Sequence, residues 1–293
     1  MTTSITSAPT TVIDKGRGLR FTESPRWHDG KVWFLDIHDQ RIKTASLDGK
    51  LDTVLELPFK PNSFGIRRDG SLLLGDAFAR KIHRWDGKEL TVFADLSPMT
   101  AFCLSDGFVD AQDRLYVGDI GFNFFDPANK PVDTCVIVCV EPDGKARVVA
   151  NGLTFPNGMV VTPDGRTLIV AETYGQCLTA FDVAADGSLA NKRVWAPLPE
   201  GVHADGITLD AEGAVWLANP EGEHQVLRVR EGGEITDRLA LPGTHAYAVM
   251  LAGPERKQLV ICTSDTHNPV TIAQAPSATL RVLDVAVPGA GRP

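Results

Sequence analysis

The chain of 293 residues has no run of Lys or Arg, no stretch of 18–20 apolar residues and no glycine period. The first absence comes with 29 Lys plus Arg against 37 Asp plus Glu, a formal net charge of −8. That balance excludes a nucleic-acid partner and binding to an anionic membrane. The second absence excludes a helix that crosses a bilayer, and the third a fibre. Disorder is excluded by a hydrophobic content of 43%. The opening Met1-Thr2-Thr3-Ser4-Ile5-Thr6 has no basic region followed by an apolar core, so no secretory leader is expected. Cysteine is sparse: Cys103, Cys135, Cys139, Cys177 and Cys262, an odd number without a CxxC pair. These read as reduced thiols of a cytoplasmic protein. Cys135 and Cys139, four apart in an apolar run, would share one face of a strand. There is no Gly-x-Ser-x-Gly elbow and no HxH or HExxH motif, which disfavours a serine hydrolase and a zincin-type helix.

What is present is a repeat. A few apolar residues, a tight turn and a short β-rich run recur, with turn positions at Gly30, Gly70, Asp113, Gly165, Gly213 and, more weakly, Arg256. The steps between them are 40, 43, 52, 48 and 43 residues. Asp-Gly and its variants supply the positive φ of a hairpin turn. A second hairpin signal follows in several units, at Asp48-Gly49, Asp86-Gly87, Asp143-Gly144, Asp186-Gly187 and Gly232-Gly233. Two hairpins give four strands, and four strands in roughly 40–45 residues make a propeller blade. The expected fold is all-β: one six-bladed β-propeller over residues 1–293, four-stranded blades around a central channel, with loose tails at 1–10 and 288–293. A β-sandwich with irregular loops is the competing architecture. The runs Thr11-Val12-Ile13 and Ala278–Val285 read as strands that could pair and close the ring.

Polar residues recur at one register. Eight residues before successive turns stand Asn62, Ser105, Asn157 and Asp205, and seven before Gly30 stands Glu23. Any one of them alone reads as a local turn residue. Five at one register, just before each innermost strand, read as oxygen ligands converging at one mouth of the channel. Unsatisfied carboxylates and amides in such a place favour a hard divalent cation, Ca²⁺ first, with Mg²⁺, Mn²⁺ or Zn²⁺ as alternatives.

The segments Thr22–Trp27, Ser105–Asp110, Phe155–Met159, Ala171–Tyr174 and Ala204–Ile207 resemble the gluconolactonase, senescence-marker-protein (regucalcin) and luciferin-regenerating-enzyme family of six-bladed propellers. The resemblance spans nearly the full chain. It implies a divalent metal held by the residues matching Glu23, Asn157 and Asp205, and hydrolysis of lactones or related esters. Two positions depart from the family pattern. Ser105 stands where an Asn at or beside the metal is usual, and Cys103 where an Arg binds sugar hydroxyls. With Phe102, Phe122, Phe124 and Phe125 nearby, these changes point to a substrate less polar than gluconolactone.

The expected chemistry is metal-assisted hydrolysis of a small-molecule lactone or ester. Asp205 is expected as general base and metal ligand, and Asp106 as the alternative base or a residue that holds the ligands. Ser105 is a further candidate ligand. Asn62, Cys103, Phe122, Glu172 and Tyr174 are candidate substrate contacts. His28, His38 and His83 are expected to face solvent near turns, whereas His203 and His245 could line the channel. Two other classes stay open: a metal-stabilised binding propeller without turnover, and a non-hydrolytic enzyme on the same scaffold.

Overall fold

The computed structural model describes residues 3–4, 11–13, 18–126 and 128–292. All six turn positions adopt the left-handed conformation the repeat requires: Gly30, Gly70, Gly165 and Gly213 lie at φ 71° to 80°, Asp113 at 64° and Arg256 at 56°. Each turn joins the two inner strands of one antiparallel blade.

The blades follow the chain order. Blade 1 is built from strands Thr22–His28, Lys31–Asp36, Arg41–Ala45 and Leu51–Glu56. Blade 2 uses Pro61–Ile66, Leu72–Asp76, Lys81–Trp85 and Leu90–Asp95. Blade 3 uses Leu104–Val109, Leu115–Asp119, Cys135–Val140 and Ala146–Leu153. Blade 4 uses Pro156–Val161, Thr167–Glu172, Cys177–Val183 and Leu189–Pro197. Blade 5 uses Ile207–Leu209, Val215–Asn219, Gln225–Val229 and Ile235–Ala240. Blade 6 uses His245–Ala252, Gln258–Ser264 and Thr279–Asp284, completed by Thr11–Ile13 from the other end of the chain. Thr11 pairs with Val282 and Ile13 with Leu280, antiparallel. The two ends of the chain thus close the ring, and an edge strand is covered. A short helix, Pro269–Gln274, sits in the last blade's upper loop, started by the Asn268 side-chain oxygen Oδ1, which accepts from the Val270 and Thr271 amides.

The hydrophobic core lies between the blades. Phe34 and Val32 of blade 1 pack with Val260 and Cys262 of blade 6, and Leu35 and Ile42 with Phe64 and Leu74 of blade 2. Leu73 meets Leu115 and Val117, Tyr116 meets Leu168, Ile169 meets Leu217, and Trp216 meets Ile261. Every neighbouring pair, including the last with the first, therefore shares buried apolar surface, which is what holds a ring without a central core. Cys135 and Cys139 fall in the same core, as their even spacing requires. All five cysteines are free, and four of them are buried.

Residues 1–10, expected to be loose, lie outside the described residues except Thr3–Ser4, which pair in parallel with Asp237 and Arg238 on the outer strand of blade 5. The segment after 288, read from its composition as a loose tail, carries specific contacts up to Arg292. Gly289 and Ala290 donate from their amides to the Arg256 and Leu209 carbonyls. The Arg292 guanidinium donates to the Asp110 carbonyl at 2.6 Å and the Ile66 carbonyl at 2.8 Å. A guanidinium has donors enough to tie two blades at the lower mouth, a capacity that Gly/Pro content does not reveal.

Candidate active site

The polar register converges for a structural reason. Pairing between the two inner strands is interrupted between Glu23 and Arg26, Pro61 and Ser63, Leu104 and Gly107, Pro156 and Met159, and Ala246 and Ala248. A bulge re-aims the side chains that flank it. Here the interruptions fall at the channel mouth in blades 1, 2, 3, 4 and 6. In blade 5 the strand begins at Ile207, and Asp205 precedes it. Glu23, Asn62, Ser105, Asp106, Asn157 and Asp205 all line one cavity of about 500 Å³ at the upper mouth.

Neighbouring blades fix these side chains. The Asn62 amide nitrogen donates to the Leu104 carbonyl at 2.7 Å, and that of Asn157 to the Thr173 hydroxyl at 3.2 Å, which in turn donates to the Ala204 carbonyl at 2.8 Å. Each amide nitrogen is held by protein, which leaves the amide oxygen as an acceptor for the cavity. Asp106 accepts from the Ser24 hydroxyl and from the Gly107 amide, each at 2.8 Å, and lies 3.5 Å from the Arg26 guanidinium. Arg26 itself donates to the carbonyls of Pro25, Phe64 and Gly107. One buried cation thus joins blades 1, 2 and 3 beneath the cavity.

Electrostatics sets Glu23 and Asp205 apart. Burial first, then repulsion by Asp205 and Asp106, pushes the Glu23 carboxyl well above its usual range, against a hydrogen bond from the Ser24 amide and the Arg26 charge. Asp205 is raised by burial and by Asp106, with a hydrogen bond to Asn157 acting the other way. Two desolvated carboxylates, two amide oxygens and a hydroxyl are a donor set suited to a hard divalent cation. No three His, Cys, Asp or Glu side chains among the described residues group as a metal site on their own. Any cation here would therefore need neutral oxygens beside the Glu23 and Asp205 carboxylates.

The walls are aromatic. Phe21, Phe78, Phe124, Phe125, Phe155, Tyr174 and Tyr247 line the cavity, and Cys103 stands among them as a neutral thiol, pushed up to about 12 chiefly by burial. Phe122 packs behind this wall, its ring 6.1 Å from those of Phe155 and Tyr174. Glu172 is not brought to the cavity: its carboxylate accepts from the Thr154 amide at 2.7 Å and the Thr179 hydroxyl at 2.5 Å, inside blade 4. As the last residue of a strand paired on both sides, it faces its own blade rather than the rim.

His245, expected as a possible channel residue, lines the cavity. Several other cavity residues escaped the repeat: His38, Lys60, Glu221, His224, Tyr247 and His267. His38, expected in solvent, packs on Phe21 with ring centroids 5.3 Å apart. Burial and the Lys60 charge lower its pKa to about 4, so it is neutral. His83, also expected outside, stacks on Phe59 at 4.3 Å. His203 supports the wall, its ring 5.4 Å from that of Tyr174 and its Nδ1 3.1 Å from the Thr173 carbonyl. The Tyr247 hydroxyl is buried without a hydrogen-bond partner among the described residues, and burial with the nearby Asp205 and Glu23 charges holds its proton on. Tyr247 sits at the bulge of blade 6's inner strand, whose turn is the weakest of the repeat. The others that escaped the repeat lie in connections at the blade tops, which differ in length and carry no repeat.

The family described as SMP-30/Gluconolactonase/LRE-like region matches residues 21–265. The chain is 24% identical over 281 residues to a 6-deoxy-6-sulfogluconolactonase of Pseudomonas putida, spanning 92% of this chain and 93% of that protein. It is 27% identical over 267 residues to a pentonolactonase of Haloferax volcanii, spanning 87% and 84%. Among solved structures, regucalcin of Agrobacterium tumefaciens, a calcium-binding protein, shares the fold with a TM-score of 0.79 at 22% identity over 97% of each chain.

Proposed function

The chain belongs to the SMP-30/gluconolactonase/LRE-like family, and from that premise and the cavity we propose that it hydrolyses a lactone or closely related ester. The observation that carries this reading is the meeting of buried carboxylates, oriented amide oxygens and an unpartnered tyrosine hydroxyl in one cavity with apolar walls. Glu23, Asp205, Asn157 and Ser105 would hold a divalent cation, most suitably Ca²⁺ given their oxygen donors. When bound, that cation supplies a Lewis acid for the carbonyl oxygen and for the charge that develops on it.

The protein's own groups carry the rest. The aromatic walls hold the apolar body of the substrate and exclude water around it. The Tyr247 hydroxyl donates a hydrogen bond to the carbonyl oxygen. Asp205 takes a proton from the attacking water, whose oxygen bonds to the acyl carbon. The ring C–O bond then breaks with its electron pair on the ring oxygen, the proton passes to that oxygen, and an open-chain hydroxy acid leaves. Asp106, fixed by Ser24 and Arg26, positions Glu23 and Asp205 through its charge. The lack of a cationic sugar-hydroxyl ligand at Cys103, within a wall of phenylalanines, supports a substrate whose body is less polar than the polyol of a sugar lactone.

The test is a panel of sugar, aliphatic and aromatic lactones with an aryl ester. Faster turnover of an aromatic lactone than of gluconolactone supports the assignment. Tight binding of lactones with no turnover would instead establish a binding propeller.

A further inference from the structure

Among the described residues, Lys60 is the only Lys or Arg that lines the cavity. It lies on the connection from blade 1 to blade 2, directly before the strand Pro61–Ile66. Its side chain is half-buried, and burial lowers its pKa. No carboxylate among the described residues forms an ion pair with its ammonium, although most basic side chains of the chain have such a partner within 4 Å. The groups that interact with it electrostatically are His38 and Cys103, both neutral. Glu221, the acidic residue of the upper rim, belongs to blade 5, half a ring away, and its carboxylate accepts from the Tyr174 hydroxyl at 3.2 Å. A partly desolvated charge normally finds a counter-charge, and here the described residues provide none.

The surroundings of Lys60 are apolar. Phe78, 46% exposed, and Phe125, 44% exposed, meet at 6.3 Å between centroids. Phe125 continues to Phe124 at 4.1 Å, and Phe124 to Phe155 at 5.9 Å. Exposed phenylalanines that converge on a cavity mark a surface meant to be covered by a ligand. One ammonium is a point charge with no second cation beside it in the cavity lining, so it balances the single charge of a carboxylate but not the nearly double charge of a phosphate monoester.

We propose that the substrate is a lactone with an aromatic or apolar body and a carboxylate substituent, and that Lys60 receives that carboxylate. The assignment rests on the hydrolase reading above and adds the substrate class to it. It also explains how an anion can enter a cavity that holds Glu23, Asp106 and Asp205: its charge stays at the blade 2 rim.

The experiment compares an aryl lactone bearing a carboxylate with the methyl ester of the same acid, in the wild type and in the Lys60→Met and Lys60→Arg variants. The wild type should prefer the carboxylate in kcat/KM by about tenfold or more, as expected for a partly desolvated ion pair. Lys60→Met should bring the ratio to about one, and Lys60→Arg should retain most of it. A wild-type ratio near one, or a ratio unmoved by Lys60→Met, overturns the proposal. If neither compound is turned over, the hydrolase reading fails, and calorimetric titration of the carboxylate lactone decides the subsite. Binding about tenfold weaker in Lys60→Met keeps the subsite, and equal binding removes it.

Discussion

Gly158 of blade 4 packs face to face with the backbone of Asp205 of blade 5. Its amide donates to the Asp205 carbonyl at 3.3 Å, and a Cβ on Gly158 would stand 2.6 Å from that oxygen and 2.6 Å from the Ile207 nitrogen. The proposed general base is thus placed by the absence of a side chain on its neighbour. Gly158→Ala should cost about 1–3 kcal/mol through overpacking, and it should lower lactone turnover by more than its fall in stability explains. The control is Gly165→Ala, at the exposed turn of the same blade, where nothing lies within 4 Å of the added carbon. It should cost about 1 kcal/mol for its φ of +71° and leave KM unchanged. Chemical denaturation alongside steady-state kinetics separates the two.

Tyr247→Phe should lower kcat about 10- to 100-fold, by loss of one donor to the developing oxyanion. The ring's edge contact with Phe21, 4.6 Å between centroids, survives the change. Because the hydroxyl has no partner among the described residues, thermal stability should hold or rise slightly. A variant with wild-type kcat would remove Tyr247 from the mechanism.

His38 gives a pH signature. Its pKa is lowered to about 4 in the folded chain, against roughly 6.5 when unfolded. Between those values the unfolded chain binds the additional proton, so this residue's contribution is fully present above about pH 6.5 and is lost as the pH falls towards 4. His38→Gln should flatten the decline in stability across that window while leaving the region above pH 7 unchanged in slope. Urea midpoints measured at half-unit steps from pH 4 to 8 would show this, and parallel curves for variant and wild type would contradict it.

Arg292 joins the carbonyls of Asp110 and Ile66 under the channel. Arg292→Ala should cost about 1–2 kcal/mol and lower the thermal midpoint by a few degrees. KM for a lactone should not move, because the contact lies at the opposite mouth from the cavity.

The architecture was legible because its turns are local. Asp-Gly at Asp29-Gly30, Asp69-Gly70 and Asp164-Gly165 demands positive φ whatever the rest of the chain does, and the spacing then counts the blades. Glu23, Asn62, Ser105, Asn157 and Asp205 were legible as a set because repetition places one register at one radius of the ring. Lys60 and His38 were not, since they reach the cavity from connections without a repeat, and Tyr247 was not, since the turn of its blade is the weakest of the six and the residue sits at the bulge of the inner strand His245–Ala252. Glu172 misled for the converse reason. It follows the apolar strand that leads to the rim, yet Thr154 and Thr179 capture its carboxylate within the blade. Such capture depends on partners about 18 and 7 residues away, which pattern reading does not weigh.

The most direct test of the account is hydrolysis of an aromatic lactone by chelator-treated protein, with Ca²⁺, Mg²⁺, Mn²⁺ and Zn²⁺ each added back, for the wild type and for Asp205→Ala. Turnover absent after chelation, restored by a divalent ion in the wild type and not in Asp205→Ala, is the predicted result. Full turnover in the chelated protein, or equal restoration in Asp205→Ala, would contradict the assignment of this site.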